Sequence, residues 1–165
     1  MKNLIFLSCL FFFACVPNEP SVSKNENSEA SSISTTESKF DPELAERLGA
    51  DDYGMKMYVM AHLKRGPNRD RSEEEAAQLQ RAHMDNIGRL AEEGKLVLAG
   101  PFGGDGDLRG IYIFNVSSIE EAKKLTESDP AIQAGSLEME LFQWYGSAAL
   151  GLVNDWHSKV AKKEI

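Results

Sequence analysis

The sequence predicts an α+β domain built around a four-stranded antiparallel sheet. Four short stretches have the apolar composition or the alternation of strands, and two longer ones show the three- and four-residue spacing of amphipathic helices. Each helical stretch opens with a capping box, Ser72 with Glu75 and Ser118 with Glu121. The patterns follow the order strand, helix, strand, strand, helix, strand.

The N-terminal residues predict export and a lipid anchor. Lys2 precedes the apolar run Leu4–Phe13, which is too short to span a bilayer, and a small residue stands directly before Cys15. This order resembles a bacterial lipoprotein signal, with cleavage before Cys15 and lipid attached to that cysteine. The alternative is an ordinary secretory signal with an incidental cysteine. We therefore expect residues 1–14 to be a signal peptide and the protein to lie in the cell envelope.

The composition then changes abruptly, and this change sets the predicted organisation of the chain. The stretch that follows Cys15 is rich in Ser, Thr, Asn and Glu and nearly free of large apolar residues, so it predicts a flexible tether. Asp41 and Pro42 then open a short helix that Gly49 can end. The expected parts are a tether at 15–40, an N-terminal helix within 41–54, the main domain at 55–146 and a helical tail at 147–165.

Within the main domain, each element follows from a local pattern. The strand Met57–Leu63 alternates, and the long helix after Ser72 carries His83 on its apolar stripe before Gly94 ends it. The remaining predicted elements are strands at 96–99, 108–116 and 137–144 and a helix from Ser118 to Ser128. This is the split β-α-β order of a ferredoxin-like fold.

The side of the sheet away from the helices is predicted to be apolar. If Val59 and Ile113 face the helices, an open face remains whose apolar residues require a second cover. We therefore expect a homodimer joined through these open faces. The tail has apolar residues at helical spacing and is expected to dock on its own domain or on the partner. The open-face residues are Tyr58, Met60, Tyr112 and Phe114, and those of the tail are Leu152, Val153, Trp156 and Val160.

Charge and composition narrow the classes of function. The formal net charge is −8, which disfavours nucleic acid as a partner because phosphates would be repelled. Both cysteines lie in the first fifteen residues, so the main domain has no disulfide, cysteine zinc site or cysteine nucleophile. The three histidines show no metal-ligand spacing, and the glycine-rich loop at 100–107 lacks the ending of a phosphate loop. We expect no metal and no cofactor.

Four segments together resemble the YciI-like (YCII-related) family. They are QRAHMDNIGRLAEEGKLVLAGPF, DLRGIYIFNV, ESDPAIQAG and ELFQWYGSAAL, and the resemblance covers roughly 57–150. It implies a ferredoxin-like fold, dimers similar to muconolactone isomerases, and His83 with Asp129 as a catalytic pair. It also implies that Gly100, Pro101 and Phe102 line a pocket. The signal, the tether, the helix at 41–49 and the tail are departures from the usual family member.

The candidate site residues each have a purely structural alternative. His83 on an apolar helix stripe can act as a general acid or base, or it can be a core histidine bonded to a backbone carbonyl. Asp129 before Pro130 is typical of a helix N-cap, which is compatible with a bond to His83. Arg65 and Arg109 can bind a substrate carboxylate or can simply be solvated. Trp144 and Tyr145 are expected to wall a small-molecule pocket, or else to be core or dimer contacts.

Two hypotheses on function follow. The first is an enzyme that performs acid–base chemistry, of isomerase or lyase type, on a small organic molecule. The second is a non-catalytic module that binds a small ligand or a protein and is tethered to the membrane. A third, an oxygenase or haem-degrading relative, rests on analogy of fold alone.

Overall fold

The computed structural model describes residues 40–163. The predicted signal peptide, Cys15 and positions 16–39 of the predicted tether lie outside the described residues. A 3₁₀ helix at Ala148–Leu152 follows the last strand. The other elements are α1 Pro42–Leu48, β1 Met55–Arg65, α2 Glu73–Glu92, β2 Leu96–Pro101, β3 Leu108–Phe114, α3 Ile119–Glu127, α4 Pro130–Gln133, β4 Leu137–Ser147 and α5 Val153–Val160.

The four strands form one sheet in the order β2-β3-β1-β4, and every neighbouring pair is antiparallel. Helix α2 connects β1 to β2, and α3 with α4 connects β3 to β4. This is the ferredoxin-like arrangement, so the predicted fold class is confirmed. The central strand β1 is longer than predicted because it pairs with β4 along its whole length, from Met55 opposite Ser147 to Arg65 opposite Leu137.

The helices begin where side chains satisfy their free backbone N–H groups. At α2 both halves of the capping box form, since the Ser72 hydroxyl accepts from the Glu75 N–H and the Glu75 carboxylate accepts from the Ser72 N–H. Ser118 accepts from the Glu121 N–H at the start of α3. Asp41 accepts from the Leu44 N–H, and Gly49 ends α1 in the left-handed conformation.

One side of the sheet, called the helix face, packs against α2 and α3 and forms the larger core. Its fully buried strand residues include Val59, Ala61 and Phe114, and Leu90 reaches them from α2. Burying a side chain as large as those of Val59, Phe114 or Leu90 stabilises the fold by about 1.5–3 kcal/mol. The rest of the buried cluster is Leu63, Leu96, Tyr112, Val116 and Ala122.

The other side, called the second face, carries a smaller cluster of Tyr58, Val97 and Ile113, with Met60 and Trp144 packed against it. The prediction that Tyr112 and Phe114 join Tyr58 there, while Ile113 faces the helices, is wrong. Val59 lies opposite Phe114 and Ala61 opposite Tyr112, and residues opposite each other in a ladder share a face. The residues on both sides of β3 are apolar, so the sequence pattern of this strand does not show which side faces the helices.

The C-terminal tail covers part of the second face of its own chain. The Tyr58 hydroxyl donates to the Ser147 carbonyl at 3.1 Å, and Asn154 Nδ2 donates to the Leu96 carbonyl at 2.9 Å. Leu150 packs against the cluster of the second face. Further along that face Phe142 stays 40% exposed. None of the helices in residues 40–163 is long and apolar enough to cross a membrane.

Candidate active site

His83 on α2 and Asp129 at the start of α4 lie side by side. Nδ1 of His83 is 2.9 Å from Oδ2 of Asp129 and 3.0 Å from Oδ1. Helix α2 presents His83 toward the sheet, because its apolar stripe faces that way. Both residues are buried, with Asp129 fully enclosed. A buried carboxylate at this distance accepts a hydrogen bond from Nδ1–H and thereby sets the tautomer of the ring.

Asp129 also begins α4. Its Oδ1 accepts from the Ala131 N–H at 2.8 Å, and Pro130 occupies the first helical position. The cap and the contact with His83 therefore coexist on one carboxylate. The four-residue helix α4 holds that carboxylate toward α2.

Tyr112 contacts the other nitrogen of the ring. Its hydroxyl lies 3.3 Å from Nε2 of His83, and the two rings are stacked with centroids 6.2 Å apart. Burial, reinforced by the nearby Asp129 carboxylate, raises the pKa of the Tyr112 hydroxyl well above its usual range. The hydroxyl therefore keeps its proton and is available to donate a hydrogen bond to Nε2 of His83.

These contacts join three groups, with Asp129 at Nδ1 of His83, Tyr112 at Nε2, and Tyr112 also close to Asp129. In the neutral ring Nδ1 donates to the carboxylate and Nε2 accepts from the phenol, so both nitrogens are occupied. A proton taken up at Nε2 would leave an imidazolium beside an anion, which stabilises it. The arrangement can thus hold and return a proton once Nε2 is reached by a substrate.

Sequence reasoning missed Tyr112 as a member of this site, because it placed that residue on the second face. No local pattern marks it. Its neighbours Ile111 and Ile113 are as apolar as Tyr112 itself, so only the ladder register reveals which side it faces. A polar cluster behind the pair was also missed, although Asn86 follows His83 on α2 at helical spacing.

This cluster joins α2 to the end of α3. Asn86 Oδ1 accepts from Arg89 at 2.7 Å and from the Ser128 hydroxyl at 3.2 Å. Ser128 directly precedes Asp129, so the cluster fixes the backbone from which that carboxylate projects. Asn86 Nδ2 is buried without a hydrogen-bond partner among the described residues.

A loop between β1 and α2 packs closely on the far end of α4. A Cβ atom added at Gly66 would lie 2.3 Å from the Gly135 carbonyl oxygen, so only glycine fits. Arg71 donates to the carbonyls of Ala134 and Asn68. The loop therefore braces α4 from the side opposite to its cap.

The predicted pocket residues at the end of β2 lie near Tyr112 in the sheet. Ala99 pairs with Tyr112, Gly100 with Ile111, and Pro101 with Gly110. Ala99 is exposed at the edge of the sheet, whereas Tyr112 opposite it is buried. Phe102 is 46% exposed at the start of the hairpin loop. The structure thus brings Gly100 and Pro101 close to the strand of the site.

Arg65 and Arg109 hold the hairpin loop rather than pointing to a carboxylate. Arg65 Nη2 donates to the Asp105 carbonyl at 3.0 Å, and Arg109 Nη1 donates to the Gly104 carbonyl at 3.0 Å. Neither forms an ion pair with a carboxylate in residues 40–163. Their guanidinium groups are partly committed to the loop backbone.

Trp144 and Tyr145 are not brought to His83. Trp144 lies on the second face, against Tyr58 with ring centroids 5.9 Å apart. Tyr145 donates to the Asp51 carboxylate, and this bond raises the pKa of the Tyr145 hydroxyl. Within residues 40–163 no group of three His, Cys, Asp or Glu side chains is arranged to hold a metal ion.

Comparison with known proteins shows what the domain is similar to. Residues 57–145 match the YCII-related domain. The uncharacterized protein YjpA of Bacillus subtilis (strain 168) is 32% identical over 62 residues, which cover 38% of this chain and 71% of YjpA. A solved structure of 5-chloro-2-hydroxyhydroquinone dehydrochlorinase from Burkholderia phenoliruptrix AC1100, in complex with 2,5-dihydroxybenzoquinone, is 23% identical. The match covers 54% of this chain and 93% of the dehydrochlorinase chain, with a TM-score of 0.40.

Proposed function

Because this chain belongs to the YCII-related domain family, we propose that it catalyses proton transfer on a small organic molecule, with His83 and Asp129 as the catalytic pair. The observation that carries the proposal is the 2.9 Å contact between His83 Nδ1 and a fully buried Asp129 carboxylate. A buried imidazole oriented by a carboxylate is suited to accept and return a proton near neutral pH. The reaction class is isomerisation or elimination.

Each group of the site has a separate role in this proposal. Asp129 holds the Nδ1 proton and stabilises the imidazolium that forms when Nε2 takes a proton from the substrate. Tyr112 occupies Nε2 in the free protein, so substrate entry must displace its hydroxyl. The entry side is the edge of the helix face beside exposed Ala99, where Gly100 and Pro101 end strand β2.

Deuterium incorporation tests the proposal, because it reports proton transfer whatever the product is. A panel of small carbonyl compounds and hydroxylated rings is incubated with the protein in D₂O, and exchange of C–H for C–D is followed by NMR. We expect wild-type protein and His62→Ala to exchange the same compound and His83→Ala to lose exchange. His62 is a matched control because it pairs with Ile111 and lies on the second face. Full exchange by His83→Ala would contradict the catalytic role.

One observation favours the second candidate function, a non-catalytic binding module. His83 is only 8% exposed, and both of its nitrogens are engaged within the protein. In that case a compound from the panel would bind without deuterium incorporation, and His83→Ala would leave its affinity unchanged. Titration by NMR separates the two functions.

We also propose a homodimer joined through the second face. The support is that Phe142 stays 40% exposed there, and Met60 is only partly buried. Light scattering should give twice the chain mass, and Phe142→Asp should halve it. A monomeric wild-type protein would overturn this proposal.

A lipid anchor on Cys15 is proposed on the sequence of the N-terminus. Mass spectrometry of protein from a membrane fraction should show a lipid-modified cysteine as the first residue. Cys15→Ser should release the protein from that fraction. An unmodified N-terminus would contradict the anchor.

A further inference from the structure

We propose that helix α5 and the residues after it form a binding surface for an anionic lipid bilayer. Trp156 and Val160 are 60% and 78% exposed, although both are apolar. They belong to an open face of one continuous segment, whose residues are Ala149, Leu152, Val153, Trp156, His157 and Val160.

The exposed apolar side of α5 points away from the domain. Asn154 faces inward, because its Nδ2 donates to the Leu96 carbonyl of β2 at 2.9 Å. At 100° per residue, Trp156 and Val160 lie roughly 200° and 240° around the helix from Asn154. The helix is therefore anchored by one side and presents an apolar stripe on the opposite side.

The charges beside this stripe indicate that its binding partner is anionic. Residues 153–165 hold three lysines, one aspartate and one glutamate, in a chain whose net charge is −8. Lys159 Nζ lies 4.3 Å from the centre of the Trp156 ring, and Lys162 and Lys163 are exposed. None of the three pairs with a carboxylate of the described residues.

An indole beside unpaired lysines matches the chemistry of a bilayer surface. The indole sits at the level of the headgroups, and lysine stems follow the apolar surface while their ammonium groups reach anionic phosphates. The rest of the chain has more acidic than basic side chains, and this net negative charge disfavours contact with anionic lipid. The surface is thus oriented, so that the domain touches the lipid through its C-terminal end.

Vesicle flotation of residues 39–165 tests this surface. This segment forms one compact unit and contains both apolar clusters, so it folds without the preceding residues and cannot bind lipid through them. We expect it to float with vesicles of phosphatidylglycerol and phosphatidylethanolamine, and not with phosphatidylcholine alone. Trp156→Ala should weaken partition about tenfold. Lys162→Glu with Lys163→Glu should weaken it by at least about twenty-fold, since each lysine contributes about fivefold.

Matched controls make the outcome decisive. Tyr53→Ala removes an aromatic ring that is 86% exposed elsewhere, and Lys123→Glu with Lys124→Glu reverses two exposed lysines on α3. Both should bind as wild type, with thermal unfolding unchanged in every variant. Absence of flotation with anionic vesicles would overturn the proposal, and so would equal losses in the control variants. Conversion of a dimer to a monomer by Trp156→Ala would also overturn it, because the stripe would then contact a second copy.

Discussion

Val59 lies directly opposite Phe114 in the ladder between β1 and β3, and this pairing puts Tyr112 on the same side of the sheet as His83. A shift of one residue would turn the phenol to the second face and leave an isoleucine beside the imidazole. The chemistry of the site therefore depends on strand register as well as on the identity of its residues.

Tyr112→Phe should remove the contact at Nε2 while keeping the ring that packs in the core. The expected loss is about 1–2 kcal/mol in the free energy of unfolding, because Nε2 loses its hydrogen bond in a buried site. The ¹⁵N resonance of His83 Nε2 should move, and urea unfolding gives the stability. Tyr58→Phe is the control, since its hydroxyl bonds to the Ser147 carbonyl on the second face. Unchanged His83 resonances in Tyr112→Phe would contradict the contact.

Asp129→Ala should destabilise the protein by about 2–4 kcal/mol. About 1 kcal/mol comes from the lost cap of α4, and the rest from leaving His83 Nδ1 without a partner. Asp129→Asn keeps an oxygen for the cap and should cost about half as much. The exposed cap at Asp41 isolates the first effect, so Asp41→Ala should cost only about 1 kcal/mol. Equal losses for Asp129→Ala and Asp41→Ala in urea unfolding would refute this division.

Two glycine substitutions should change the stability of the fold in opposite directions. Gly66→Ala places a Cβ atom 2.3 Å from the Gly135 carbonyl oxygen and should destabilise by about 1–3 kcal/mol. Gly88→Ala meets nothing within 4 Å in the middle of α2 and should stabilise by about 0.5–1 kcal/mol. Thermal unfolding of both variants measures the difference. A neutral Gly66→Ala would show that the loop does not brace α4.

The capping box of α2 should make the stability of the fold decrease at acidic pH. Hydrogen bonds from the Ser72 N–H and hydroxyl lower the pKa of Glu75 below its usual value of 4.5. A lowered pKa in the folded state gives stability that is present above pH 4.5 and is lost as the pH falls through the folded value. Glu75→Gln should therefore flatten the fall in Tm between neutral and acidic pH, measured by circular dichroism. In a Ser72→Ala background the same change should have a smaller effect, because only the backbone N–H of residue 72 then remains to donate to the Glu75 carboxylate.

The sequence predicted those elements whose signals are local. The capping residues Ser72 and Ser118 begin α2 and α3 as expected, and the strand order gave the correct topology. The orientation of β3 was predicted wrongly, because Ile111, Tyr112, Ile113 and Phe114 are all apolar and only the paired strand decides which side each faces. A strand that is apolar on both sides carries no sequence signal for the register in which it pairs with its neighbours.

The candidate site was predictable only in part, and for a related reason. His83 and Asp129 came from the family resemblance, since no local spacing links residues on different helices. Tyr112 and Asn86 enter the site through the packing of β3 and α3 against α2. Trp144 was expected at the pocket, but the alternation of β4 carries it to the second face beside Tyr58.

The central position of β1 has a consequence for folding during synthesis. It is the first strand of the domain to leave the ribosome, yet its partners β3 and β4 come much later in the chain, and Met55 pairs with Ser147. Such non-local pairing slows folding, because a long loop must close before the contacts form. The nascent chain therefore cannot complete its sheet until nearly all of it has emerged, and truncation before β4 would leave β1 with an unpaired, aggregation-prone edge.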